Sequence, residues 1–324
     1  MPPLLKHKMT FEILKLKSFL IGLLATILVV ACQNNTNTIR QSTNSQLADC
    51  RMVQHVMGEV CVPNVSQRLI SLEEVTLGDA LALGVSSVGA STYDELANYL
   101  AEKSGDIEFL GDSEQPNLEK IYQLNPDLIL GIELAAESIY PQLSQVAPTA
   151  LGKWNGYPNW REYFNFVARV LNKEDEAKAV WKDYQRRIEE LKNALGDDLQ
   201  DLEISLAYTY GSEMSMDAEN SFAGSILADL GIRRPKSQAA VDGGTIRLLE
   251  ERISDLNADI LFLSLYNKES EKILADWQQK PLWNQLQVVQ NQRVYLVDAG
   301  IWRAGDPLAA NLVIDDLYKY LVKQ

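Results

Sequence analysis

The chain is 324 residues long and carries 30 Lys and Arg against 44 Asp and Glu, a formal charge of −14, with two histidines, His7 and His55. Apolar residues at 46% are enough for a sizeable core, so the chain is no disordered tract, and the length suits two domains or one large one. The acidic balance argues against nucleic-acid binding, which needs clustered Lys and Arg to displace phosphate counterions, and two histidines leave little room for a His-built metal site or a Ser-His-Asp triad.

Residues 1–31 begin with Lys6, Lys8, Lys15 and Lys17 and continue into an apolar run from Phe19 to Ala31. A basic stretch before so short an apolar run is the pattern of a signal peptide, too brief for a comfortable permanent span. The run ends Val29-Val30-Ala31-Cys32, which resembles the lipobox of bacterial lipoproteins, and that resemblance makes Cys32 the expected lipidation site. Asn, Gln, Thr and Ser dominate the stretch that follows, so residues 32–49 read as a flexible tether. Loss of residues 1–31 removes four Lys and Glu12, leaving a net charge of −17. Two cysteines then remain, Cys50 and Cys61, and an even pair in an oxidising compartment reads as a disulfide closing a short loop. His55 between them raises a Cys/His metal site as the alternative. Three ligands without a fourth, at no zinc-finger spacing, weigh against it, so no metal site is expected.

From residue 50 onward the chain contains itself twice. Glu119-Lys120-Ile121-Tyr122-Gln123-Leu124-Asn125-Pro126-Asp127-Leu128-Ile129 returns as Glu251-Arg252-Ile253-Ser254-Asp255-Leu256-Asn257-Ala258-Asp259-Ile260-Leu261, each copy a short amphipathic helix, a turn and a buried strand. Upstream, the helix ending at Gly84 pairs with that ending at Gly231; downstream, Gln142-Leu143 pairs with Gln285-Leu286. Three correspondences in one order predict two similar α/β lobes of parallel-sheet βα units, residues 50–159 and 197–324. Residues 160–196 between them read as helix with a break near Asn172, and the stretch from Glu174 to Leu195 carries apolar residues three or four apart. One long helix joining two lobes is a stiff hinge, with the ligand cleft between the lobes.

Two α/β lobes, a lone connecting helix and a lipoprotein leader resemble the helical-backbone class of periplasmic substrate-binding proteins of ABC importers, on the branch that binds ferric citrate and ferric hydroxamates. The residues that carry the resemblance include Arg68-Leu69-Ile70-Ser71, Asn125-Pro126-Asp127-Leu128-Ile129, Ala147-Pro148-Thr149, Ser221-Phe222-Ala223-Gly224 and Ala309-Ala310-Asn311-Leu312. The resemblance implies a monomeric protein on the periplasmic side of the envelope, lipid-anchored to the inner membrane, that captures a ferric siderophore and passes it to ABC permease subunits. Iron then arrives inside its chelator, so no cofactor and no protein metal ligands are implied. Haem or a corrinoid is the alternative ligand, kept open by several tyrosines, since direct haem ligation uses Tyr or His.

In open parallel sheets the ligand lies beyond the carboxyl ends of strands. That rule selects Tyr93, Glu133 and Trp154 in the first lobe, and Tyr208, Tyr210, Tyr266, Trp302 and Arg303 in the second, with Arg247 in the adjoining loop. Guanidinium forks at Arg247 and Arg303 suit carboxylate and hydroxamate oxygens. No phosphate-binding loop, dinucleotide fingerprint, nucleophile elbow or His-Glu-x-x-His motif occurs, so catalysis is not expected. Glu73-Glu74 and Asp315-Asp316 are adjacent pairs and read as solvated charge. For permease docking, the resemblance implies one acidic residue on each lobe. The expected first position reads Gly78, with Ser225 as its repeat equivalent, so Asp79 and Asp229 are the candidates and Glu74 the reserve.

Overall fold

A computed structural model describes residues 50–93, 96–211 and 213–322. The signal peptide, the lipidation site Cys32 and the tether lie outside the described residues. Strands β1 (Cys50–His55) and β2 (Gly58–Pro63) pair as a two-stranded sheet, and Cys50 and Cys61 are disulfide-bonded. With both thiols consumed, the Cys/His metal site is gone. His55 is a packing residue: its Nδ1 accepts the Leu151 N–H at 3.3 Å, its ring lies 5.6 Å from that of Tyr140, and burial lowers its pKa.

The first five-stranded sheet comprises β3 (Leu69–Ser71), β4 (Ser87–Thr92), β5 (Glu108–Asp112), β6 (Leu128–Ile132) and β7 (Thr149–Gly152), ordered β5-β4-β3-β6-β7. Every pairing in it is parallel, and β6 is buried along its whole length, as a strand covered on both faces should be. The second sheet comprises β8 (Ile204–Tyr210), β9 (Glu213–Asp217), β10 (Thr245–Arg247), β11 (Ile260–Leu265) and β12 (Val294–Asp298), ordered β10-β9-β8-β11-β12. The repeat is visible here: β6 and β11 both take the fourth position, and Gly84 and Gly231 both end helices at positive φ, 74° and 83°.

The second sheet corrects one expectation. It is mixed, not all-parallel, because β9 runs antiparallel to both β8 and β10. The chain turns from Tyr210 to Glu213 through Gly211 at φ 58°, far too short a connection for a crossover helix. The second copy of the repeated helix is also a 3₁₀ segment, Glu250–Leu256, where the first is the α-helix Leu118–Gln123.

The connecting segment is two helices, Trp160–Leu171 and Glu174–Leu195, separated at Asn172 in the left-handed conformation (φ 58°) and stopped by Gly196. One buried cluster crosses the molecule: Leu77, Tyr99 and Leu100 from the first half meet Tyr184 of the connecting helix and Phe222, Trp302, Ala310 and Val313 from the second. At its edge Trp160 donates from Nε1 to Ser225 Oγ at 3.0 Å and packs against Phe222, 5.0 Å between centroids.

Candidate ligand-binding site

Period-two alternation builds the second-lobe side of the site. In β8, β9 and β10 one face is apolar, with Ala207, Met214 and Met216 buried and Ile246 packed against them. The pairings Tyr208↔Ser215, Tyr210↔Glu213, Thr245↔Asp217 and Arg247↔Ser215 place all of these residues on the opposite face. That face is polar and aromatic, and Arg303 packs onto it from the short helix after β12, Ala299–Trp302.

Arg303 is 8% exposed and held on several sides. Its Nη1 donates to Asp217, its Nε donates to the Tyr266 hydroxyl at 2.8 Å, and its guanidinium stacks 3.4 Å from the Tyr208 ring centroid. Burial alone would lower its pKa, but the Asp217 carboxylate together with Tyr266, Tyr157 and Tyr208 outweighs that and keeps the guanidinium well above its ordinary value. Tyr157, which follows β7, closes the far side at 5.2 Å from the guanidinium. Nη2 has no hydrogen-bond partner among the described residues.

The aromatic line continues in both directions. Trp154 sets its ring edge-on to Tyr157 (6.0 Å, 81°), and Tyr210 does the same to Tyr266 (5.5 Å, 68°). Tyr210 is 69% exposed, so its ring is free to pack on a ligand. Of the selected residues, the structure thus gathers Trp154, Tyr208, Tyr210, Tyr266 and Arg303. Tyr93 stands apart, its backbone N–H bonded to Glu74 Oε1 at 3.0 Å, and Arg247 is paired with Glu213 farther along the polar face. Glu133 opens a short helix and is half-buried.

Trp302 is a correction. It is 1% exposed, its ring lies 4.5 Å from Phe262, and its Nε1 donates to Asp316 Oδ2 at 2.8 Å. The turn of helix that brings Arg303 to the polar face drives its neighbour into the core. Tyr157 and Asp217 escaped the strand-end rule because one lies in a 3₁₀ turn and the other ends β9, the antiparallel strand the sequence reading did not anticipate.

Two carboxylates read as surface charge are buried. Glu73 is 1% exposed where β3 ends; its Oε2 accepts from Thr76 Oγ1 at 2.9 Å and Ile132 N at 3.1 Å, while Oε1 has no partner among the described residues. Burial pushes its pKa up to about 8. Asp79 is fully buried with neither oxygen partnered among the described residues, and burial together with the nearby Asp306 carboxyl raises its pKa well above the usual range. It cannot dock a permease from there. The cause is the inward face of helix Glu74–Ala82: a Cβ on Gly78 would sit 2.5 Å from Asp306 Cγ, so the glycine leaves room for the cap of the C-terminal helix. Asp229 is partly exposed but occupied, accepting from Arg161 and the Tyr184 hydroxyl, both at 2.6 Å.

Among the described residues no three His, Cys, Asp or Glu side chains gather to hold a metal ion. A cavity of about 480 Å³ lined by His55, Lys153, Glu162 and Phe166 lies outside the Arg303 cluster.

Residues 69–300 match the model of the family described as periplasmic binding protein. The chain belongs to that family. It is 33% identical over 318 residues to the probable siderophore-binding lipoprotein YfiY of Bacillus subtilis, covering 93% of this chain and 96% of that protein. It is 30% identical to the Fe(3+)-citrate-binding protein YfmC of the same organism, covering 86% and 88%. The crystal structure of Staphylococcus aureus SirA complexed with staphyloferrin B superposes with a TM-score of 0.74 at 27% identity, covering 84% of this chain and 98% of that one. The family and these neighbours carry the two-lobed α/β architecture read from the repeat.

Proposed function

We propose that the protein captures a ferric siderophore in the cleft between its lobes and delivers it to the permease of an ABC importer, held at the outer face of the inner membrane by lipid on Cys32. The carrying observation is Arg303, a buried guanidinium fixed by Asp217 and Tyr266, flanked by tyrosines, and still holding unused donors for a chelate oxygen. Relatives named for siderophore and ferric citrate binding support this reading, and none of those named here favours haem or a corrinoid. Capture needs no protein ligand to iron, because the chelator keeps the metal.

Quenching of tryptophan fluorescence by a panel of ferric chelates tests it, since Trp154 adjoins the Arg303 cluster. Arg303→Gln is expected to weaken the bound chelate by about 1.5–3 kcal/mol, the worth of a charge-assisted hydrogen bond, with the fold checked by circular dichroism. No quenching by any ferric chelate, or wild-type affinity in the variant, overturns the reading.

A further inference from the structure

Helix Glu74–Ala82 sits at the seam between the two halves. Val75 and Ala80 pack with the first half, while Leu77 joins the shared cluster together with Ala309, Ala310 and Val313 of helix Pro307–Leu321. Gly78 lies against Asp306, the N-cap of that second helix, whose carboxylate accepts from Leu308 N at 2.9 Å, Ala309 N at 3.0 Å and the Tyr99 hydroxyl at 2.5 Å. The next residue is Asp79, fully buried, with no hydrogen bond to either oxygen among the described residues.

The groups that face Asp79 are acidic or neutral. Asp306 comes from the cap of the C-terminal helix, Tyr99 from helix Asn98–Ser104 and Tyr163 from helix Trp160–Leu171, while Glu73 and Glu74 begin its own helix. No lysine or arginine pairs with Asp79 or Asp306 among the described residues. A carboxyl with neither a donor nor a cation beside it keeps its proton while buried, because nothing there offsets the loss of hydration on ionising. Once water reaches it, the group ionises in the ordinary range, at about 4.

Position decides what this does. Inside one half, such a carboxyl would act on global unfolding alone. At the seam, a motion that parts the two helices wets it and frees its proton. Because the buried form is the more basic one, low pH favours the closed seam. Rising pH draws the equilibrium toward the parted state, about ten-fold per pH unit between the two titration ranges.

We infer that the seam is a proton-linked latch: protonated Asp79 keeps helix Glu74–Ala82 on helix Pro307–Leu321, and loss of that proton accompanies the rare parting through which a bound chelate leaves. The effect on the chelate rests on the proposed function; the latch does not.

Hydrogen exchange read by mass spectrometry on the ligand-free protein at pH 5, 6 and 7, corrected for the intrinsic pH dependence of amide exchange, tests the latch. Peptides covering 74–82 and 307–321 report the seam, and those covering β6 and β11 report global unfolding. The seam peptides are expected to exchange ahead of the strands, with protection falling about ten-fold per pH unit in wild type relative to Asp79→Asn. Seam and strands exchanging together would assign the proton to global unfolding and overturn the latch, as would parallel pH profiles in the two proteins. Seam protection in wild type that is flat with pH overturns it even where the variant fails to fold. Release of ferrichrome, or of ferric dicitrate where ferrichrome does not quench tryptophan, is expected to speed up with pH at least three-fold more per unit in wild type than in Asp79→Asn. Equal release profiles separate the latch from release and overturn that half of the inference while the proposed function stands. Quenching by no ferric chelate counts against the proposed function, and the exchange result still decides the latch.

Discussion

Replacing Glu73 with Gln isolates the cost of ionising a carboxyl at the end of β3. In the folded protein burial pushes this group up to about 8 from its ordinary value of 4.5. Because the folded pKa is the higher one, the native state holds a proton that the unfolded chain releases, and stability falls as pH rises from 4.5 through 8. Between pH 4.5 and 7 the loss accumulates over two and a half pH units at ~1.36 kcal/mol each, about 3 kcal/mol. Gln keeps an oxygen for the Thr76 hydroxyl and Ile132 N–H, and its amide is neutral at every pH. Urea denaturation at both pH values gives the difference directly. The wild type should lose about 3 kcal/mol more than the variant between pH 4.5 and 7. Parallel losses in the two proteins would mean that Glu73 is solvated or paired in solution, and that the buried position described above is wrong.

Asp79→Asn is expected to raise the thermal midpoint at pH 7 and leave it unchanged near pH 4, since burial beside Asp306 raises the Asp79 pKa and penalises its charged form; a midpoint lowered at pH 7 would contradict this. Replacing Cys50 and Cys61 by Ser removes a bridge worth about 3 kcal/mol in the chain-entropy model, read as a shift in the denaturation midpoint, with two free thiols in the nonreduced wild type as the contrary finding. Trp302→Phe should cost about 1–2 kcal/mol through the lost Asp316 hydrogen bond and ring area while leaving chelate affinity unchanged. A more than five-fold loss of affinity would return Trp302 to the ligand site.

The two-lobe architecture was legible because an Asn-x-Asp turn and its strand recur, and β6 and β11 indeed occupy equivalent places. The hairpin from β8 to β9 was not, although Gly211 is the kind of residue that permits one. At the site, strand-end reasoning found Tyr208, Tyr266 and Arg303, which the structure brings into contact. It could not separate Arg303 from Trp302, because a four-residue helix fixes their directions and short helices leave no periodicity to read. Asp217 and Asp79 were missed or misread for one reason: whether a carboxylate is buried depends on a partner distant in the chain, Arg303 for one and Asp306 for the other.

The buried cluster that runs from Leu77 through Tyr184 to Val313 has a bearing on traffic at the membrane. A receptor whose halves share one core has little freedom to advertise cargo by changing shape. Empty and loaded forms are then expected to share nearly the same outline.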